Sequence, residues 1–508
     1  MAPIIKNRTI ALWVIACTIA LYAFTARDGH NWKGDFSQYI MHAQNLIQGN
    51  AYTDLGVLSI DGIAHAGTPP GYPLTVAPMI ALFGLNFIML KVQMAFIFGF
   101  GLWIYWHHIK KEMPIRWALS TLAFLAFTPW ILKFSNNLLT DIPYLTTSLL
   151  AIYLGHRFFQ NSPTLKSALY VSASIVLACS FRSVGIIIIG AIGGYALLFR
   201  RSHLIHTIGI ALFSYLFITV IYRTFEAGGS YASQFSLDPY IIANAIWKNL
   251  IGLEQSFTRM IALYPSRNEN SLLYSLINKP ILIAYIGLMC LGLFRSFKKR
   301  GLHLYDLYLP LSLVPLLVYP YPMRSRYLLP LLPFTHLYAI IGFRYLLARA
   351  FKYDVPMPIK PVLRYRFILP ALFWMPLFMA YWGHYTFMPT TAEANILKDP
   401  DVQGLFQEVR TQKQDISKVL FWRPRILRLF TDVNAAGVYN INEYPWTTQE
   451  ILRINTLGVS HIILDPNNPK FTAFTVHNPH LFKSIYQNNT FHLMRIVAPQ
   501  NTLDVAVP

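Results

Sequence analysis

Five residues of this chain pair a proton acceptor with groups that grip an anion. Asp35 opens the stretch 34–49, directly after the first long apolar run, and Asp141 precedes Ile142-Pro143 at the end of a later one. A carboxylate at either place can take a proton from a hydroxyl or amine within hydrogen-bond reach. Arg182 lies in Ser180-Phe181-Arg182-Ser183-Val184-Gly185, between two apolar runs. Arg324 and Arg326 lie in Met323-Arg324-Ser325-Arg326-Tyr327-Leu328-Leu329-Pro330-Leu331-Leu332-Pro333. A guanidinium is always charged and holds phosphate bidentately, so a lipid phosphate suits each of the three. Plainer roles exist for all five. Asp35 with Gln38, and Asp141 with Pro143, have the spacing of helix caps. The arginines can snorkel to headgroups. Lys33, His65 and Tyr72 share the loop with Asp35 and can line the same cavity, or can be ordinary surface residues.

The elements that must position these groups are mostly membrane spans. The 508 residues are 55% hydrophobic and only 13% charged, about half the share of a soluble protein. The net charge of +20 does not indicate nucleic acid. The basic residues gather in short loops between apolar runs, which is the positive-inside pattern. Cys17, Cys179 and Cys290 fall inside apolar segments, so no disulfide framework is expected.

Reading the runs in order gives about 11 transmembrane helices with the N-terminus inside and the C-terminus outside. The first, about 10–26, is a retained anchor. The first outer loop, 27–85, contains two short helices. Phe36, Ile40, Ala43 and Ile47 form an apolar stripe beside a polar one of Asp35, Gln38, His42 and Asn45. That pattern predicts a helix lying on the membrane surface. The run 73–83 is apolar but too short to span, so it reads as interfacial or re-entrant. The next spans, about 86–106, 117–132, 142–159, 167–181, 184–199 and 204–222, lead to a second outer loop at 223–279. Spans at about 280–293, 304–319, 327–347 and 367–385 follow. Arg324 and Arg326 then fall outside, against the charge rule, and an anionic ligand is the simplest reason. The tail from 388 is polar. Its runs Val419-Leu420-Phe421-Trp422 and His461-Ile462-Ile463-Leu464-Asp465 flank a helix at 447–457. It reads as a small α/β extracytoplasmic domain, 388–508, after a membrane domain, 1–387.

Two segments carry a resemblance. The first loop reads Asp35-x-x-x-Tyr39-x-x-x-Ala43-x-x-Leu46-x-x-Gly49 and then Pro69-Pro70-Gly71-Tyr72-Pro73-Leu74. A late span opens with Arg326-Tyr327-x-x-Pro330-x-x-Pro333. In this order the pieces resemble the GT-C class of membrane glycosyltransferases. Within it they are most similar to the family 39 group, which contains protein O-mannosyltransferases and the lipid A aminoarabinose transferase. Many members have Asp-Glu where this chain has Asp35-Phe36.

The resemblance implies a bacterial inner-membrane enzyme that takes a sugar from a polyprenyl-phosphate donor, with inversion, on the outer face. Asp35 would be the base. Asp141, in a Thr-Asp-x-Pro setting, would orient donor or acceptor. Arg182, Arg324 and Arg326 would hold the departing phosphate, with Tyr327 beside them. Partners are the lipid-linked donor, membrane lipids and an acceptor that is lipid, polysaccharide or protein; nucleic acid is not among them. No nucleotide-binding glycine loop is present, which suits a lipid-linked donor. No cofactor is expected, and a divalent metal is disfavoured because Asp35 lacks a neighbouring acid and His107-His108 lies among lysines. Two rivals stand beside this reading: a flippase for lipid-linked sugars, and an inactive scaffold subunit.

Overall fold

The computed structural model describes residues 2–32, 35–61, 67–227, 238–261, 271–321, 323–351, 395–438, 444–465 and 468–497. Helix α1 is Ala2–Phe24. It packs on α4, Phe87–Glu112, a helix of 26 residues that is about 39 Å long. Around them stand α5 (Ile115–Ala126), α6 (Pro129–Ser135), α7 (Asp141–Gln160), α8 (Leu165–Phe181), α9 (Ile187–Phe199) and α10 (Leu204–Thr224). The bundle closes with α11 (Pro239–Ile261), α12 (Leu272–Arg300), α13 (Leu304–Val318) and α14 (Leu332–Phe351).

Among the described residues, four helical stretches are long and apolar enough to cross a membrane: Phe87–Glu112, Arg201–Thr224, Leu272–Arg300 and Ser325–Arg349. Their outward faces carry side chains such as Ile205, Leu212 and Ile283, which are 83%, 65% and 71% exposed. Apolar surface of that extent needs lipid against it. The expected span at 367–385 lies outside the described residues.

Two segments differ from the sequence expectation. The return span expected at 280–293 belongs to a helix of 29 residues that begins at Leu272, where the Ser271 side chain caps Tyr274 N. Pro280 sits inside it, in the third turn. The second outer loop also contains α11, whose Asn249 side chain ties to the backbone of Leu317, Tyr319 and Met323.

The first loop forms α2, Phe36–Gln48, β1, Val57–Ser59, and α3, Gly71–Phe83. Gly49 ends α2 in the left-handed region at φ 73°, where its N–H reaches Asn45 O. The double proline precedes α3 as its residues demand. Gly71 is needed there because a Cβ would stand 2.6 Å from Ser180 O at the end of α8. Helix α2 does not lie open on a surface: most of both stripes is buried, including Gln38, His42 and Asn45, while Ile47 at its end is exposed. The His42 Nδ1–H meets Tyr52 O at 2.6 Å, and Asn45 donates to Asp54 O.

Helix α2 packs on α3 and also on the C-terminal segment. Its elements are α15 (Pro400–Thr411), β2 (Val419–Leu420), α16 (Pro424–Thr431), β3 (Ala435–Gly437), α17 (Thr448–Thr456), β4 (His461–Leu464), α18 (Pro469–His477), β5 (Phe482–Gln487) and β6 (His492–Ile496). They build a six-stranded sheet in the order β1-β3-β2-β4-β6-β5. The four strands from β1 to β4 are parallel, and β6 and β5 are antiparallel additions. Strand β1 comes from the first loop, so the sheet joins two parts of the chain far apart in sequence. Trp32 strengthens the joint by packing on Phe406, Phe421 and Trp422, with ring centroids 5.7–6.2 Å apart. Each such pair contributes about 0.5–1.5 kcal/mol beyond its area.

Candidate functional site

Asp35 occupies the N-cap position of α2 but makes no side-chain cap bond. Gln38, the expected capping partner, instead lies 3.4 Å from His42 Nε2. The carboxylate, 41% exposed, is left for two guanidiniums: Arg425 Nη1 at 3.4 Å and Arg326 Nη1 at 3.8 Å. Arg326 stands on a 3₁₀ turn, Ser325–Leu331, that leads into α14. Pro330 falls inside this turn, where the missing N–H suits a short irregular element.

Asp141 is the first residue of α7 and makes no cap either. Its side chain is 1% exposed, with Oδ1 2.5 Å from Arg182 Nη1 and Oδ2 without a hydrogen-bond partner among the described residues. Arg182 ends α8, where the chain turns back toward α9. Burial is the largest effect and works against its charge, but Asp141, Tyr327 and Tyr39 together outweigh it, and the guanidinium is held above its ordinary pKa. Tyr327 sits between cations: Arg182 and Arg326 lie 5.2 and 5.1 Å from its ring centroid.

These groups border a cavity of about 1570 Å³. Asp35, Arg182, Arg324, Arg326 and Tyr327 all line it. Asp141 lies beneath Arg182 and is not in the lining, so it acts on the cavity through Arg182. Tyr72 is also behind the wall: it is buried and packs edge-on against Tyr39, which lines the cavity, at 5.2 Å. Burial first, then the Asp35 charge, raises the Tyr39 phenol, which remains a protonated donor. Lys33 and His65 lie outside the described residues. Part of the wall is apolar, with Ile187, Ile218 and Leu316 from α9, α10 and α13.

Three arginines were not among the sequence candidates: Arg223, which lines the cavity at the end of α10, and two from the C-terminal segment. Arg423 lines the cavity, and Arg425 reaches Asp35. Burial lowers Arg423, and Asp35 opposes that shift. Both follow β2 in Trp422-Arg423-Pro424-Arg425. The chain leaves β2 for β3 on one side and later β4 on the other, so β2 is the point where strand order reverses. In open parallel sheets the crevice beyond the carboxyl end of such a strand is the usual ligand site. That signal existed in the sequence, but needed the strand order to be read.

Five cavity arginines, Arg182, Arg223, Arg324, Arg326 and Arg423, face two cavity carboxylates, Asp35 and Glu226. The Nε atoms of Arg326 and Arg423 are buried and have no acceptor among the described residues. A buried donor without an acceptor costs about 1–3 kcal/mol. The arrangement is built to receive an oxygen-rich anion beside one partly exposed carboxylate.

No protein-family model matches the chain, and no curated protein matches it either. Its structure is similar to solved ones along nearly its whole length. ArnT from Cupriavidus metallidurans bound to undecaprenyl phosphate is similar with a TM-score of 0.54 at 13% identity, over 96% of this chain and 98% of that one. The Archaeoglobus fulgidus oligosaccharyltransferase in complex with Zn and sulfate gives a TM-score of 0.61 at 12% identity, over 94% and 72%. AglB from the same archaeon, in complex with an inhibitory peptide and a dolichol-phosphate, gives 0.56 at 11% identity, over 95% and 74%. The chain has the GT-C fold. With this fold and four long apolar helices among the described residues, the chain is a multi-pass membrane protein.

Proposed function

We propose that the protein is an inverting glycosyltransferase that moves a sugar from a polyprenyl-phosphate donor to an acceptor on the outer face of the membrane. One observation carries the reading: a partly exposed carboxylate and an excess of guanidiniums, two with buried N–H groups that have no partner among the described residues, share one cavity that also has an apolar stretch of wall. The likeness to structures holding undecaprenyl phosphate and dolichol-phosphate supports the same donor class.

In this mechanism the acceptor hydroxyl or amine approaches Asp35, which removes its proton. The freed oxygen or nitrogen attacks the anomeric carbon. The bond from that carbon to the phosphate oxygen breaks, and its electron pair stays on the lipid phosphate. Arg326, Arg182 and Arg324 stabilise that charge as it develops. Arg425 and Arg326 keep Asp35 aimed, and Tyr327 spaces Arg182 from Arg326. The apolar wall takes the first isoprene units. The C-terminal segment, an outer domain over the cavity, limits which acceptor reaches Asp35.

The test uses purified protein in vesicles with radiolabelled polyprenyl-phosphate hexose and an envelope extract. Wild type transfers label to an acceptor, and Asp35→Asn loses roughly 10²–10⁴-fold while still binding donor. Equal transfer by Asp35→Asn would remove the base role. Labelled lipid crossing the bilayer with no transfer would put the flippase in its place.

A further inference from the structure

At the other end of the bundle a second group of polar side chains converges. Helix α4 runs about 39 Å from Phe87, which packs on Phe36 and Phe430, to Glu112. Helix α7 starts at Asp141 beside the cavity and reaches His156 fifteen residues, about 22 Å, later. His303 comes from the turn between α12 and α13. Glu112, His156 and His303 present ligand atoms that all lie within 4.8 Å of one another.

We infer that this cluster binds a divalent transition cation of the zinc class, clamping α4, α7 and the α12–α13 turn at the end of the bundle remote from the cavity. Tyr305 Oη, 3.1 Å from His303 Nδ1, is the group that the ion would displace. Glu112 Oε1 and His303 Nδ1 are 3.6 Å apart, too far for a hydrogen bond but close to the edge of a tetrahedron with metal–ligand distances of about 2.0–2.1 Å. The rings of His156 and His303 have centroids 4.7 Å apart, near the roughly 5 Å that two imidazoles on one tetrahedral ion require.

A second observation points to a ligand. His108, one turn before Glu112 on α4, packs against His156 with centroids 5.4 Å apart. It is 5% exposed, and its Nε2 is buried without a hydrogen-bond partner among the described residues. Two imidazoles and one carboxylate, with the His108 ring beside them, are a nitrogen–oxygen donor set that suits zinc, cobalt or nickel and not magnesium or calcium. Gln160, 2.7 Å from His156 Nε2, fixes that ring. Arg300 does not fill the place: it takes Glu112 Oε2 at 3.4 Å and Asp306 Oδ2 at 3.3 Å, leaving Oε1 toward His303.

The test is Co²⁺ titration of the full-length, tag-free protein in detergent, followed by visible d–d absorption, with Zn²⁺ displacement. Wild type binds one equivalent and gives a four-coordinate spectrum. His303→Gln and His156→Gln weaken binding at least about 10-fold. His107→Gln, a neighbour bonded to its own helix at Trp103 O, binds as wild type does. No cobalt band in wild type, or equal affinity in His303→Gln and wild type, overturns the site. If a variant fails to fold, the wild-type spectrum and its displacement by Zn²⁺ decide alone: a band that zinc removes supports the site, and its absence overturns it.

Discussion

Asp141→Asn should weaken the empty protein and strengthen its grip on a lipid phosphate. The buried carboxylate neutralises Arg182 at 2.5 Å. Removing one partner of a buried pair costs about 3–5 kcal/mol, because the other charge stays buried and uncompensated. Asp141 also opposes any anion that Arg182 binds. At an effective dielectric of 20 and a separation of about 7 Å, that repulsion is roughly 2 kcal/mol. Its loss raises affinity for polyprenyl phosphate about 30-fold. The assay is thermal unfolding in detergent, with and without polyprenyl phosphate, of wild type, Asp141→Asn, Arg182→Gln and the double variant. Asp141→Asn should melt below wild type when empty and gain more from the lipid phosphate. Arg182→Gln should gain little. The double variant should be more stable than the two single losses predict. If Asp141→Asn melts with wild type, or gains no more from the lipid than wild type does, the pair does not set the charge of the cavity and the argument fails.

Acid should loosen the contact between the first loop and the C-terminal sheet. Burial lowers His30 and His42 from an ordinary value of 6.5 to about 4. His42 donates through Nδ1 to Tyr52 O and accepts at Nε2 from Gln38, so its neutral form is the one that fits. Because the unfolded state binds the extra proton, stability is complete above pH 6.5 and is lost as pH falls toward 4. The loss is about 3 kcal/mol for each histidine. Melting curves at pH 7.5 and 5 check this, and His42→Gln should flatten the difference. Leu58→Pro should detach β1, since Gly56 O and Ile60 N bond to β3 and place the Leu58 amide in the same ladder. Transfer should fall at least 10-fold while the Asp141→Asn phenotype persists. Unchanged transfer would show that the sheet does not set the cavity.

The cavity side of the bundle was legible because its signals are local. Prolines 69 and 70 mark the start of α3, and Arg326-Tyr327-x-x-Pro330 marks an irregular entry into α14. Asp35, Arg182, Arg324 and Arg326 were found because charges between apolar runs are conspicuous. The cover over α2 was not legible. Its polar stripe of Gln38, His42 and Asn45 looks solvated in a helical projection, yet all three are buried, with His42 and Asn45 bonded to the loop at 51–54 and Gln38 beside His42. Nor did Arg425 stand out, because in a polar tail an arginine is unremarkable until β2 aims it at Asp35. The members of the remote cluster, Glu112, His156 and His303, are separated by whole helices, and no spacing rule joins them.

The placement of β1 explains why one sheet is built from both ends of the chain. A cavity with five arginines repels itself, and helices alone would relax by moving those arginines apart. Asp35 can hold Arg326 and Arg425 near one point only if α2 and the carboxyl end of β2 are fixed relative to each other. Pairing Val57–Ser59 with Ala435–Gly437 fixes them by backbone bonds, which do not weaken as the ligand's charge comes and goes. The Trp32 cluster and Phe87–Phe430 packing add apolar support beside it. The self-repulsion is thus kept in the empty protein and relieved when an anionic ligand enters. On the proposed reaction it is relieved most when the leaving phosphate gains its full charge, which is the condition for favouring the transition state over the bound donor.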